Sequence, residues 1–289
     1  MATLFRWLSR WPLWLLHALG GALGWLSYAL SPSYRRRFKA NAAQAGVSRP
    51  AFRAAVAEAG RLITELPALW MRPESQPLAG RARWQGAELI AAAHARGDGI
   101  LFLTPHMGCF EVAAQLYAED YASRHGPITV MYRPARKPWL QDLVATSRER
   151  TGLAAAPATL AGVRQLIRAL RRGEAVGLLP DQVPPDEMGV WAPFFGRDAY
   201  TMTLAARLAR EPGVTPLLTR AERLPHGRGY VVHLAPFDEP LPAGAAQAES
   251  AAAVNRAMER VIRTCPQQYL WGYDRYKSPR STAAGHNKD

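Results

Sequence analysis

A histidine and a glutamate stand close together near the middle of the chain, in the stretch GDGILFLTPHMGCFEVAAQ from Gly97 to Gln115. His106 and Glu111 form a His-x4-Glu pair. An imidazole has an ordinary pKa of about 6.5, and a neighbouring carboxylate increases its basicity. The pair could therefore remove a proton from a hydroxyl group. The alternative is a purely structural role. His106 would then cap the following helix, and Glu111 would interact favourably with the positive end of the helix dipole.

The elements around this pair place it at the end of a strand. The apolar run Ile100 to Leu103 predicts a buried strand, and Pro105 ends it because proline cannot donate to a sheet ladder. A helix is predicted from about Cys109 to Tyr121. His106 then lies in a strand-to-helix turn, where open α/β sheets form their crevices.

Two further predicted strands deliver polar residues in the same way. Ile128 to Tyr132 is followed directly by Arg133, and Ala175 to Leu179 is followed by Asp181 and Gln182. If these strands are parallel, their ends converge with His106 at one edge of the sheet. As a site residue, Asp181 would orient an arginine or bind an acceptor hydroxyl. The alternative interpretation is that Arg133 is a solvated charge in a loop and Asp181 is an ordinary turn residue.

The remaining pattern completes an α/β fold with a mostly parallel central sheet flanked by helices. Val214 to Leu218 predicts a fourth strand. Apolar residues at helical spacing predict helices over Leu160 to Arg171 and Ala251 to Thr264. Phe194 and Phe195 are candidates for packing an apolar chain of a substrate, with ordinary core burial as the alternative.

The N-terminal segment Trp11 to Leu30 contains no Asp, Glu, Lys or Arg. About 20 residues of helix span about 30 Å, the hydrocarbon thickness of a bilayer. Basic residues follow it, so we expect a membrane-anchor helix with the remainder in the cytoplasm. A helix lying in the headgroup layer is the alternative. The predicted division is an anchor and basic flank over 1–39, a catalytic domain over 40–278 and a disordered tail over 279–289.

Charge and cysteine content narrow the function classes. The formal net charge of +13 favours anionic lipids, nucleic acid or an acidic carrier protein as partners. Cys109 and Cys265 are the only cysteines, which argues against a disulfide framework or a structural zinc site. Cys109 as a nucleophile is an alternative to its more ordinary place as a small buried residue. We expect neither a metal nor a cofactor.

Four blocks in order along the chain carry a family resemblance. They are TPHMGCFE, MYRPARKPWLQDLVATSRERTG, GLLPDQVPPDEMGVWAPFFGRDAYTM and QYLWGYDRYK. Together they resemble the late acyltransferases of lipid A biosynthesis, the lauroyl- and myristoyl-transferases of the wider glycerolipid acyltransferase superfamily. The family usually has His-x-Gly-Asn-Trp-Glu, whereas this chain has Cys109 and Phe110 between Gly108 and Glu111.

The resemblance implies a role for several residues. His106 would be the general base, and Glu111 would fix its tautomer. Arg133 would contact an anionic part of the acceptor, and Arg148 would bind a phosphate of the carrier or of a lipid. The predicted substrate-binding residues in full are Arg133, Arg148, Asp181, Gln182, Phe194 and Phe195.

The function predicted is transfer of a fatty acyl group from acyl-carrier protein to a hydroxyl of a lipid A precursor at the cytoplasmic face of a bacterial inner membrane. Acyl-CoA is the alternative donor. A related acyltransferase acting on a lysophospholipid or another glycolipid would use the same pair. A serine hydrolase is disfavoured because the chain has no G-x-S-x-G motif. A membrane-bound nucleic-acid binder would leave the ordered blocks unexplained.

Overall fold

The computed structural model describes residues 2–132, 150–242 and 244–279. Five helices precede the first strand. These are α1 (Ala2–Leu8), α2 (Leu13–Leu30), α3 (Pro32–Gln44), α4 (Arg49–Thr64) and α5 (Leu66–Trp70). The side chains of Ser31 and Ser48 accept hydrogen bonds from the first turns of α3 and α4, which have proline near their starts. Both sequences therefore combine a helix cap with a proline where it is tolerated.

Strands and helices then alternate. They are β1 (Ala82–Gln85), α6 (Glu88–Ala95), β2 (Gly99–Leu103), α7 (Phe110–Asp120), α8 (Ala122–His125), β3 (Ile128–Tyr132), β4 (Leu153–Pro157), α9 (Leu160–Arg171), β5 (Ala175–Leu178), β6 (Gly189–Phe194), β7 (Arg197–Met202), α10 (Leu204–Ala209), β8 (Val214–Arg223), β9 (Tyr230–Pro236) and α11 (Gln247–Thr264). The predicted α/β class is confirmed.

Seven strands form the central sheet, in the order β1-β9-β8-β2-β5-β3-β4. The pairs β8-β2, β2-β5, β5-β3 and β3-β4 are parallel, whereas β9 runs antiparallel to β8. Every residue of β2 and β5 is buried, which explains why both strands read as continuous apolar runs. The hairpin of β6 and β7 forms a separate two-stranded sheet.

Helices cover both faces of the sheet. Buried residues of α9 and α11, such as Leu166 and Met258, share a core cluster with Leu101 and Val176 of the sheet. On the other face, Tyr117 of α7 packs in a cluster with strand residues that include Ile100. The central strands are therefore buried on both sides, as a parallel sheet requires.

The N-terminal helices pack on the sheet domain. Leu16 of α2 and Phe38 of α3 are fully buried, and Phe38 shares a core cluster with Val56 of α4. The predicted boundary after residue 39 therefore does not coincide with a break in packing. Among the residues that the structure describes, Leu13–Leu30 is the one helix long and apolar enough to cross a membrane. The predicted tail lies outside the described residues from position 280 onward.

Candidate active site

His106 and Asp181 meet at the carboxyl edge of the sheet because their strands are neighbours. Leu103 of β2 pairs with Leu178 of β5, and each strand is followed within three residues by its polar side chain. The Nδ1 atom of His106 lies 2.6 Å from Oδ1 of Asp181. The backbone N–H of His106 donates to Oδ2 of the same carboxylate at 2.9 Å. The predicted convergence is confirmed for these two residues.

The carboxylate sets the chemistry of the imidazole. Asp181 is only 1% exposed. Burial by itself raises the pKa of Asp181, but the charge of His106 and the hydrogen bonds from it outweigh burial and hold the pKa below its ordinary value. With Asp181 ionised, the shared proton lies on Nδ1 of His106 and the lone pair lies on Nε2. The ring is therefore prepared to accept a proton at Nε2.

The carboxylate that holds Nδ1 is thus Asp181, whereas the family resemblance implied Glu111. Glu111 is in the first turn of α7 and lines the same cavity as His106. Its catalytic role stays a prediction. Asp181 was expected to orient an arginine or bind an acceptor. It accepts two hydrogen bonds from His106, and its carboxylate also interacts with Tyr269 and with the charge of Arg275.

A cavity of about 300 Å³ opens beside the histidine. His106, Glu111 and Gln182 are on its wall, so three predicted site residues are brought together. Most of the remaining wall is apolar. It includes Phe110, Met131, Val163, Leu179, Met202 and Leu204. A smaller apolar cavity of about 40 Å³ shares Phe110 and Leu179 with the first. An apolar chain fits this lining, with polar groups at one end to orient it.

Two other predicted site residues, Phe194 and Phe195, do not line this cavity. Phe194 and Phe195 are 2% and 6% exposed and pack in the core near Trp271. The backbone N–H of Phe195 donates to Glu259 at 2.7 Å, which fixes the segment against α11. Arg133 and Arg148 lie outside the described residues.

Comparison with known proteins identifies the family. The sequence profile described as bacterial lipid A biosynthesis acyltransferase matches residues 2–278. The chain belongs to this family. It is 29% identical over 201 residues to the lipid A biosynthesis lauroyltransferase of Escherichia coli (strain K12), covering 68% of this chain and 63% of that protein. The chain thus matches less than two thirds of the length of that relative.

Two other relatives give the same result for this member of the lipid A acyltransferase family. It is 26% identical over 223 residues to the lipid A biosynthesis palmitoleoyltransferase of E. coli (strain K12), covering 76% of this chain and 69% of that protein. It is 28% identical over 195 residues to a lipid A biosynthesis acyltransferase of Haemophilus influenzae, covering 66% of this chain and 58% of that protein.

In this family member, backbone hydrogen bonds fix the turn that carries His106 to neighbouring segments. Gly108 N–H donates to the carbonyl of Gln268 at 2.9 Å, and Cys109 N–H donates to the carbonyl of Ala221 at 2.8 Å. Gly108 has φ of +56°, and a Cβ there would lie 1.9 Å from the carbonyl oxygen of Ala221. The turn therefore requires glycine. These two N–H groups are committed to the fold, so an oxyanion would have to be bound by other donors.

A buried charged cluster lies directly behind this turn. The guanidinium of Arg223 donates to the carbonyl of Gly108 at 3.1 Å and through Nε to Glu65 at 2.7 Å. Glu65 also contacts Nε2 of His17 at 3.1 Å and accepts from the Tyr230 hydroxyl at 3.0 Å. Burial raises the pKa of Glu65, but the combined effect of Arg223 and His17 is larger and opposite. The pKa of Glu65 is therefore below its ordinary value.

The cluster makes Arg223 a positioning residue, because it touches the catalytic turn and not the cavity. Sequence reasoning missed both Glu65 and Arg223. The sequence held a signal for Glu65, since this glutamate stands directly before the apolar run LPALW of α5. Such a charge is buried only when it is paired.

Neither cysteine is placed for nucleophilic chemistry. Cys109 is fully buried, and burial together with the Glu65 carboxylate raises the pKa of its thiol well above the ordinary value. Burial also raises the pKa of Cys265, to about 12. Both thiols are therefore protonated at neutral pH, as expected of small buried residues. Among residues 2–132, 150–242 and 244–279, no three His, Cys, Asp or Glu side chains cluster as metal ligands would.

Proposed function

We propose that this protein transfers a fatty acyl group from a thioester donor to a hydroxyl of a lipid A precursor, the secondary acylation of lipopolysaccharide synthesis. The observation that carries the proposal is the His106–Asp181 pair, which stands at an apolar cavity of about 300 Å³. Membership of the lipid A acyltransferase family supports the reaction class.

The proposed step is a direct transfer. Nε2 of His106 takes the proton of the acceptor hydroxyl while the oxygen attacks the thioester carbonyl carbon. The tetrahedral intermediate collapses as the C–S bond breaks, and the departing thiolate takes the proton back from the imidazolium. Asp181 stabilises the imidazolium between these events, and Glu111 adds a second negative charge on the same cavity wall.

The two substrates are assigned to different surfaces. The apolar cavity would take the acyl chain, and Gln182 on its wall would orient the thioester or the acceptor. Arg133 and Arg148 would bind phosphate of the acceptor or of the donor. The net charge of +13 supports an acidic acyl-carrier protein as donor and an anionic inner membrane as the site of action, with the catalytic domain on the cytoplasmic face. Acyl-CoA is the alternative donor.

The test is acyl transfer by the purified protein with acyl-carrier-protein thioesters and a lipid A precursor, followed by mass spectrometry of the lipid. We expect one added acyl group, its loss in His106→Ala, and its retention in Arg164→Gln, a change of one exposed arginine on α9. A lysophospholipid supplied in parallel decides the acceptor. If only that lipid gains an acyl group, the related acyltransferase is the correct assignment. If acyl-CoA alone serves as donor, the carrier-protein assignment is wrong.

A further inference from the structure

An exposed apolar face runs along the first two helices. Seven of the eleven large apolar side chains that stand exposed in the described residues lie on α1 and α2. They are Leu4, Trp7, Trp14, Leu23, Trp25, Leu26 and Leu30. The residues of α2 among them lie on the opposite side of the helix from its buried residues, such as Leu16 and Gly20. A concentrated apolar face of this kind marks an interaction surface.

The other side of α2 is fixed to α4 by backbone contact. A Cβ on Gly24 would lie 2.3 Å from the carbonyl oxygen of Val56, and a Cβ on Gly60 would lie 1.9 Å from that of Gly20. His17 of α2 contacts the buried carboxylate of Glu65 at 3.1 Å, immediately after the end of α4. Because these contacts need glycine and a buried ionisable pair, α2 is an integral part of the domain and not a tethered anchor.

This attachment argues against a bilayer-crossing α2. The partner helix α4 carries Arg53, Glu58 and Arg61, and its exposed residues include Arg49. A charged side chain at the bilayer centre is energetically costly and therefore rare. If α2 crossed the bilayer with α4 attached, several such charges would enter the hydrocarbon. A position parallel to the membrane plane instead puts the apolar face in lipid and leaves α4 in water.

A basic cavity of about 900 Å³ lies at the N-terminal end of this face. Arg6, Arg10, Arg81 and Arg228 line it together with the buried Arg72, which pairs with Glu119, and no aspartate or glutamate is among its described lining residues. None of these four arginines forms a salt bridge within the described part of the chain. Trp14 lines the cavity and is also part of the exposed apolar face. Guanidinium groups bind phosphate, and tryptophan favours the membrane interface.

We propose that α1 and α2 form a docking face that lies within one leaflet of an anionic bilayer, with the arginine-lined cavity binding a phospholipid headgroup phosphate. The occupant is a lipid surface because the cationic cavity adjoins the apolar face, as anionic headgroups adjoin the apolar layer of a membrane. The inference is independent of which hydroxyl the enzyme acylates.

Vesicle flotation with the full-length protein tests the headgroup assignment. We expect binding to vesicles that contain phosphatidylglycerol and weaker binding to vesicles of phosphatidylcholine alone. Arg10→Gln with Arg81→Gln should reduce binding to the anionic vesicles about 30-fold, since each basic residue near an anionic membrane surface contributes about fivefold. The matched control is Arg164→Gln with Arg168→Gln on α9, which removes the same charge from an exposed surface. Equal losses in the two double variants would overturn the cavity assignment. Displacement by inorganic phosphate at constant ionic strength would show that the cavity takes free phosphate instead.

Cysteine labelling in sealed proteoliposomes tests the topology. A cysteine on a short Gly-Ser extension before Met1 and Asp198→Cys on β7 are the two probe positions, and the native Cys109 and Cys265 are buried. We expect a membrane-impermeant maleimide added outside to label both positions in the same protein molecules. Labelling of position 198 with protection of the N-terminal cysteine until the vesicles are lysed would show a spanning helix and overturn the proposal.

Discussion

Asp181 accepts two hydrogen bonds from His106, one from the imidazole at 2.6 Å and one from the backbone at 2.9 Å. This two-point attachment orients the ring and fixes the peptide that carries it. The two residues are 75 positions apart in sequence, and the parallel pairing of β2 with β5 brings them together. The geometry needs no ordered substrate to form, so the base is oriented before the hydroxyl arrives.

Asp181→Asn should lower kcat on the order of 10³-fold and leave the KM for the acyl donor within a few fold. The neutral amide cannot stabilise the imidazolium, and it allows the wrong tautomer of His106. Steady-state kinetics with a thioester donor measure the effect. Asp198→Asn, an exposed carboxylate on β7, is the matched control and should leave both constants unchanged.

Glu111→Gln separates the two carboxylates. We expect a smaller fall in kcat than for Asp181→Asn, because the hydrogen bond at Nδ1 is intact. If Glu111→Gln is the more damaging of the two, then Glu111 rather than Asp181 is the partner of His106 during the reaction.

Val163→Phe should reduce kcat/KM for long acyl donors by at least about tenfold and affect short donors less. Val163 faces the cavity, and the larger ring fills space that the chain would occupy. Leu160→Phe on the same helix is the control, because Leu160 is 71% exposed. Donors of graded chain length supply the measurement. A uniform loss over all lengths would show that the cavity does not hold the acyl chain.

Gly108→Ala should cost far more stability than Gly97→Ala. Both glycines have positive φ, +56° and +74°, so both variants lose about 1–2 kcal/mol of unfolding free energy from backbone strain. Only at Gly108 would the new Cβ meet a backbone oxygen, at 1.9 Å, whereas nothing lies within 4 Å at Gly97. Thermal unfolding compares the two variants. Similar melting temperatures would contradict the close approach of the turn to β8.

Glu65→Gln should lower the unfolding free energy at pH 7 by about 1–3 kcal/mol, because the buried Arg223 and His17 lose a charged acceptor while Glu58 still pairs with Arg223. The pKa of Glu65 is lower in the folded protein than in the unfolded chain, so its stabilisation is complete above the unfolded value of about 4.3 and is lost as the pH falls through the folded value. The difference between native protein and variant should therefore shrink below about pH 4.

Denaturant titrations of both proteins from pH 7 to pH 3 measure this difference. Glu74→Gln is the control, since Glu74 is an exposed carboxylate with a lowered pKa and its removal should cost little at any pH. A difference for Glu65→Gln that stays constant across the range would show that the pKa of Glu65 is the same in the folded and unfolded states and contradict the lowered pKa.

The parallel core could be read from the sequence because its strands are buried on both faces. Runs such as Ile128 to Tyr132 match the observed strand, and His106 and Asp181 were expected at one edge for that reason. Their direct hydrogen bond was not foreseen. Spacing places residues at an edge, but which carboxylate reaches an imidazole depends on side-chain directions that a sequence does not contain.

The end of β8 shows a second limit. The predicted strand Val214 to Leu218 continues to Arg223, through the segment TRAER. The polar residues of this segment are typical of a loop. They form a strand because β9 pairs with them and because Glu65 neutralises the charge of Arg223. A charge pair between residues 158 positions apart has no local signature. Phe194 and Phe195 show the same limit, because an aromatic pair has the same sequence pattern whether it packs in a core or lines a binding cavity.

The chain of contacts from His17 through Glu65 and Arg223 to Gly108 makes the distance between α2 and the catalytic turn a fixed dimension of the molecule. A flexible tether would allow the distance between an active site and a membrane surface to vary, whereas this set of contacts does not. If α2 lies in the lipid interface as we propose, this fixed distance would hold His106 at a single depth. The proposed acceptor hydroxyl would then have to reach that depth by its own motion in the leaflet, and the enzyme would select lipids by where along their length the hydroxyl lies.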